Sequence, residues 1–178
     1  MADTSLEASP PDAPSGALDA STFGVLWNTP AALRALVGGQ PDEVLARPNE
    51  EGWTPKHVLS HLLVAEGPPF VDRIRSILAG DDIANIDEQT LIDDSGFLER
   101  DAGALLRDFE RNRRQSVEWL RTLEPDDFAR KATHELAGEV AIADIVHHIA
   151  FHDLLHLRQL SEMLMPALDE RRGALRMF

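Results

Sequence analysis

The chain has 178 residues and a formal net charge of -14, and 43% of its residues are hydrophobic. This length suits one well-buried domain, and no apolar run approaches the roughly 20 residues that a membrane-spanning helix needs. Cysteine is absent, which excludes disulfides, thiolate metal ligands and a cysteine nucleophile. Without such an apolar run a membrane is not an expected partner, and because no basic stripe is present to bind a phosphate backbone, neither is a nucleic acid.

The first residues are rich in Pro, Ser, Asp and Ala and have no amphipathic period. We therefore predict a disordered tail over residues 1–20 and one folded domain over residues 21–178. The tail has neither the basic start nor the apolar core of a secretory signal, so a cytoplasmic location is expected.

Two helices are predicted in the first half of the domain. Over residues 21–37 apolar side chains recur at intervals of three and four, with Pro30 as a cap or a kink. A Thr-Pro start opens a second helix over residues 54–80, which we expect to kink at Gly67-Pro68-Pro69. The acidic residues 81–94 are predicted to form a loop.

Two more long helices are predicted in the second half, over residues 97–123 and 141–165, with Pro166 following the last one. A short helix or turn is expected over residues 126–130, and no segment alternates convincingly like a strand. The predicted fold class is therefore all-α, a four-helix bundle.

Histidines carry the clearest chemical signal. On the fourth predicted helix His148, His152 and His156 follow at intervals of four, so they stack on one face, roughly 6 Å apart along the axis. His152 and His156 can therefore chelate one ion. His61 lies near the apolar side of the second helix, where an unpaired imidazole would be costly to bury, and it could supply a third ligand. Three imidazoles suit transition metals rather than Ca²⁺ or Mg²⁺ and leave coordination positions open.

A structural role for these residues is the alternative, because a single helical histidine is more often a hydrogen-bonded core or surface residue than a ligand. His147 points away from the stripe and is expected to be solvated. His134 lies in a connecting segment and carries no signal. His57 precedes His61 by one turn and could reach the site as a supporting group.

The motifs together are recognisable: Gly52-Trp53-Thr54-Pro55, His61-Leu62 with Glu66, and His152-x-x-x-His156 followed by Leu157-Arg158-Gln159-Leu160. This pattern resembles the DinB/YfiT-like superfamily of metalloenzymes, over about residues 21–165, and its DinB-like branch most closely.

The resemblance implies an up-down-down-up four-helix bundle, commonly a homodimer, with one divalent metal held at His61, His152 and His156. Zinc and nickel are the expected metals. The candidates for lining the pocket or supporting the ligands are His148, His57, Gln159, Asn112 and Arg113. A dimer interface would be favoured by an apolar face on the first helix or by exposure of Trp27 and Trp119 on one side.

The resemblance also implies a metal-dependent enzyme with a small-molecule substrate. Because several relatives use low-molecular-weight thiols such as bacillithiol or mycothiol, the first hypothesis is a thiol-dependent S-transferase acting on small electrophiles. A metal-dependent hydrolase on the same ligands is the second hypothesis. The third is a non-catalytic, stress-associated protein that binds metal without turnover. No general base is identified from the sequence.

Overall fold

The computed structural model describes residues 18–177 and shows a four-helix bundle, as predicted. In chain order the helices are α1 (Ala20–Val37), α2 (Asp42–Leu45), α3 (Pro55–Ala65), α4 (Arg73–Ala79), α5 (Glu88–Ser95), α6 (Ala102–Leu120), α7 (Pro125–Phe128) and α8 (Ile142–Asp169). Helices α1 and α3 each pack against both α6 and α8, which places α1 and α3 at opposite corners of the bundle.

The first helix begins slightly earlier than predicted and continues through its proline. Leu18 is buried and the Asp19 side chain accepts the Thr22 N–H as an N-cap, so these residues belong to the fold. Positions 1–17 of the predicted tail lie outside the described residues. Pro30 has no N–H to donate to Leu26 one turn earlier, so the Leu26 carbonyl oxygen is left without its usual helical partner.

The second predicted helix is present with the expected kink. Thr54 caps it, since its side chain accepts the His57 N–H while the His57 Nδ1 accepts the Thr54 N–H. A π-helical segment, Glu66–Asp72, joins α3 to α4, and Gly67 within it has φ -89° and ψ -109°, outside the helical range. Adjacent prolines lack the N–H groups that would continue the α-helical pattern, which accounts for the irregularity.

The prediction of a loop over residues 81–94 was wrong, because α5 occupies its second half. Asp87 caps this helix by accepting the Gln89 and Thr90 N–H groups. Ile92 is its one buried residue. With a single buried residue and several acidic ones, the segment has no amphipathic period that the sequence could reveal.

The expectation of no strand was also wrong. Strands β1 (Lys131–His134) and β2 (Gly138–Ala141) pair antiparallel as a hairpin. Each has only four residues, too few for alternation to be distinguished from a loop. Ile83 forms an isolated parallel bridge with His134, which ties the segment after α4 to this hairpin.

The last two long helices differ from the prediction at their ends. Asp101 caps α6 through the Ala104 N–H, and a separate 3-10 turn covers Phe97–Glu99, so the third helix is shorter than predicted. Helix α8 runs through Pro166 to Asp169. Pro166 removes one helical hydrogen bond on an exposed face near the helix end, where water can replace the missing donor.

The core is divided into two apolar clusters by a polar layer at the middle of the bundle. One cluster is built around Phe23, Phe70, Ile74, Val117 and Val146, and the other around Leu33, Leu59, Leu62, Phe109 and Leu160. On α6 the residue between the two clusters is Arg113, whose side chain is 2% exposed.

Arg113 is the centre of this polar layer. Its Nε donates to Glu66 Oε2 at 2.6 Å, its Nη2 donates to Asp153 Oδ1 at 3.0 Å, and its Nη1 contacts Asp153 Oδ2. Its Nη1 also reaches the Leu26 carbonyl oxygen freed by Pro30, at 3.4 Å. Burial alone would lower the pKa of Arg113, but the two carboxylates raise it above its ordinary value. The guanidinium therefore ties all four long helices together.

Replacing Arg113 with Met is expected to lower the free energy of unfolding by about 3–5 kcal/mol, because two carboxylates stay buried without their cation. Urea unfolding measures this change. Arg107→Met, an exposed position on the same helix, should change stability by no more than about 0.5 kcal/mol. Equal stability of the Arg113 variant and the wild type would show that the layer contributes nothing. Adding Glu66→Gln and Asp153→Asn to the variant should recover part of the loss.

Candidate metal centre

Three imidazoles from two helices converge beside the polar layer. The Nε2 atoms of His61, on α3, and His152, on α8, are 2.8 Å apart. The Nε2 atom of His156, one turn further along α8, is 3.1 Å from that of His152. One ligand atom from each residue lies within 4.8 Å of the others. The structure therefore brings together the three histidines that the sequence selected.

The three imidazoles are neutral near pH 7. Burial lowers the pKa of His152 to about 3 and that of His61 to about 4, with a further lowering from the neighbouring histidines. Burial also lowers the pKa of His156. Neutral imidazole is the form that binds a transition metal.

The spacing of the nitrogens fits a shared ion. Nitrogens bound at about 2.0–2.1 Å to one metal stand about 3.0–3.4 Å apart, depending on the coordination angle. The observed separations of 2.8 and 3.1 Å are close to that range. A single proton shared between two nitrogens could satisfy one of these contacts but not both. The donor set and its geometry therefore suit a divalent transition metal.

Supporting contacts orient the rings. The His156 Nδ1 donates to Gln159 Oε1 at 2.8 Å, which leaves its Nε2 as the free donor atom for a metal. The His61 Nδ1 lies 3.3 Å from Glu88 Oε2, at ion-pair distance though without hydrogen-bond geometry. The Trp53 ring packs edge-on against His61, with 5.5 Å between ring centroids.

Glu88 is the residue that sequence reasoning missed. Burial raises its pKa, and the positive charge of Arg73 opposes that rise. Its one sequence signal is its place directly after the Asp87 N-cap, at the start of a helix that the acidic composition concealed.

The other residues that the sequence suggested for the pocket or for supporting the ligands lie outside the three-histidine cluster. His148 lies next to His152, with 6.2 Å between ring centroids, and lines a cavity there. His57 caps α3 and is not part of the converging set. Arg113 is buried in the polar layer, and Asn112 lines a separate cavity of about 380 Å³.

The predicted exposure of His147 is confirmed, whereas the two tryptophans considered for a dimer interface are not exposed. The His147 side chain is exposed, but its Nδ1 lies 2.9 Å from the Thr22 hydroxyl. Trp27 and Trp119 are both half-buried, and the guanidinium groups of Arg114 and Arg75 cover their rings. Neither ring is a bare apolar surface.

A cavity of about 360 Å³ opens on His152. Its apolar wall includes Ile83, Val140, Ile145 and Ile149, so the bridge residue and the hairpin face α8 across it. Its polar lining includes Arg73, Glu88, His134, Asp144 and His148. An apolar cavity with a few convergent polar groups, next to a candidate metal centre, is the form expected of a substrate pocket.

The comparison with protein families fits this arrangement. The family model of the DinB superfamily matches residues 26–160, which is more than half of the chain. The chain belongs to the DinB superfamily. The matched region includes all three converging histidines of this DinB superfamily member.

A solved structure shares the fold of this DinB superfamily chain. It is YfiT from Bacillus subtilis, described as a probable metal-dependent hydrolase with an unusual four-helix bundle topology. The two are 20% identical, with a TM-score of 0.73 over 91% of this chain and 94% of YfiT. A search of curated proteins finds no match. Across residues 18–177, none of the helices combines the length and apolar character required to cross a membrane.

Replacing His152 with Ala should abolish stoichiometric metal binding, because the central nitrogen of the three is lost. We expect zinc affinity to fall more than about 100-fold, beyond the loss typical of a group that only supports a ligand. Elemental analysis and competition with a chromophoric chelator measure this. His147→Ala, on the same helix but outside the cluster, is the matched control and should keep one metal per chain. Retention of metal by the His152 variant would refute the site.

The metal-free protein should lose stability as the pH falls from about 6.5 towards 4. The pKa values of His61 and His152 are about 4 and about 3 in the folded chain, against an ordinary 6.5. Below pH 6.5 the unfolded chain therefore binds more protons, so acidification favours unfolding. Urea unfolding across this pH window, in the presence of a chelator, measures the slope. Metal-free His152→Ala protein should show a shallower slope, and an identical one would count against burial of that imidazole.

Proposed function

We propose that the protein is a metal-dependent enzyme in which His61, His152 and His156 hold one divalent transition metal, zinc or nickel. The observation that carries the proposal is the convergence of three neutral Nε2 atoms beside a cavity. A bound divalent cation would lower the pKa of a thiol or of water, which supplies a nucleophile at neutral pH.

The reaction we propose first is transfer of a low-molecular-weight thiol to a small electrophile. Because the chain has no cysteine, the thiol must be a cosubstrate. A free thiol ionises near pH 8.5 and water near 15.7, so a thiol needs much less help to become a nucleophile. Glu88, a carboxylate of the cavity lining, lies 3.3 Å from the His61 Nδ1. Thiol activation does not require this group as a base.

Hydrolysis on the same ligands is the second candidate. Glu88 and His148 both line the cavity, and either could accept a proton from water. Burial raises the pKa of Glu88, which makes its carboxylate a stronger base than an exposed glutamate. YfiT, which shares the fold, is described as a probable metal-dependent hydrolase.

The remaining predictions concern the oligomeric state and the cellular location. A homodimer and a cytoplasmic location stay predictions from the sequence. Exposed apolar side chains on one side of α8, at Phe151, Leu154 and Leu155, are where a second copy would be expected to pack.

The two reactions are separated by supplying or omitting the thiol. Zinc- or nickel-loaded protein is incubated with 1-chloro-2,4-dinitrobenzene and a panel of bacillithiol, mycothiol, glutathione and cysteine, and thioether formation is followed by absorbance. We expect thioether formation above the uncatalysed rate with one of these thiols, and its loss in His152→Ala. Release of nitrophenol from p-nitrophenyl esters without any thiol would instead support hydrolysis.

The control for this assay is His147→Ala, which should keep both its metal and its rate. If metal-loaded protein catalyses neither reaction across the panel, the third hypothesis, metal binding without turnover, replaces the proposal. If the purified protein holds no metal, the assignment of the three ligands is wrong as well.

A further inference from the structure

Arg73, at the start of α4, lines the same cavity as His152, and its hydrogen-bond donors are incompletely satisfied. Its Nε–H finds no acceptor within the part of the chain that the structure describes, although the atom is shielded from solvent. Its Nη1 and Nη2 reach the Pro69 and Ala84 carbonyl oxygens, each at 3.5 Å, the outer limit for a hydrogen bond. The charge of Glu88 acts on this half-buried guanidinium, but within the described residues its five N–H donors make only these two long hydrogen bonds to neutral carbonyl oxygens.

We propose that Arg73 is the anchor for a carboxylate group on the molecule that binds beside the candidate metal centre. This inference rests on the proposed function, since it concerns the ligand of that same site. A guanidinium presents paired N–H groups in a fork that matches the two oxygens of a carboxylate. The 3.5 Å contacts with carbonyl oxygens cost little to exchange for such a charged partner.

The charges of the cavity favour a single negative charge on the ligand. Its lining holds one arginine and two carboxylates, those of Glu88 and Asp144. With histidines counted as neutral, the lining alone is net negative, and a divalent cation at the three histidines makes it net positive by one. A monoanion neutralises that excess. A dianionic phosphate would overcompensate it and would meet the repulsion of both carboxylates.

The apolar wall of the cavity indicates the chemistry of the part of the ligand that is not its carboxylate. Ile83, Val140, Ile145 and Ile149 form an apolar surface in the cavity of about 360 Å³. That volume accommodates a small molecule, with a short aliphatic or aromatic body against these side chains. The ligand class is therefore a small carboxylic acid with an apolar body, as substrate or as cosubstrate.

The test compares hexanoate, hexanamide and hexyl phosphate as probes, using zinc-loaded full-length protein and isothermal titration calorimetry. We expect hexanoate to bind roughly tenfold or more tightly than neutral hexanamide, and more tightly than hexyl phosphate. Arg73→Gln should weaken hexanoate by a similar factor and leave hexanamide unchanged. Arg75→Gln removes the same charge two residues further along α4, outside this cavity, and should leave all three affinities unaltered.

Several results would overturn the assignment. If the carboxylate of hexanoate binds only the metal, hexanoate will have equal affinity for the wild type and for Arg73→Gln. Tighter binding of hexyl phosphate would point to a phosphate site, and the absence of hexanoate binding would remove the anchor altogether. Circular dichroism and zinc content of Arg73→Gln verify that it is folded and loaded, and the hexanoate and hexanamide comparison on wild type needs no variant. Because the zinc content is measured separately, failure of this inference is distinguishable from failure of the metal centre.

Discussion

The fold depends on one cation at the middle of the bundle. Arg113 is almost completely buried, and such a charge is tolerated only with partners that satisfy it. Glu66, Asp153 and the Leu26 carbonyl supply them from three other helical segments. Asp153 directly follows His152 in α8, and Glu66 lies five residues after His61. The helix packing that brings Glu66 and Asp153 to Arg113 therefore also fixes the positions of His61 and His152 along their helices, so that their imidazoles meet.

The π-helical segment between α3 and α4 contributes both to the polar layer and to the cavity beside the histidines. Residues seven apart, such as Glu66 and Arg73, lie on the same face of a regular α-helix. Here Glu66 points to Arg113 in the bundle interior, whereas Arg73 lines the cavity over His152. The interruption around Gly67 changes the phase of the helix between them. Such segments are often found at functional sites, and this one lets a single chain segment support the core and line the cavity.

The sequence revealed those parts of the site that obey a helical period. His152 and His156 were visible because their spacing of four is a property of the helix itself, and His61 because it stands on an otherwise apolar stripe. The place of Arg113 in the polar layer was not predicted, since a guanidinium in the middle of a stripe gives no indication of which carboxylates it will meet. Glu88 and the β1–β2 hairpin escaped notice because their segments are too short or too acidic to carry a period. Tertiary contacts, not local pattern, fix their positions.

The wall opposite α8 in the cavity comes from connections, the Ile83 bridge and the hairpin, while the three imidazoles come from the long helices. One wall of the cavity and the three imidazoles are thus built on different parts of the polypeptide. Insertions or exchanges between α4 and α5, or between α7 and α8, would reshape the cavity without displacing the three imidazoles. Such a division allows the shape of the cavity in this scaffold to change while the histidine cluster is kept.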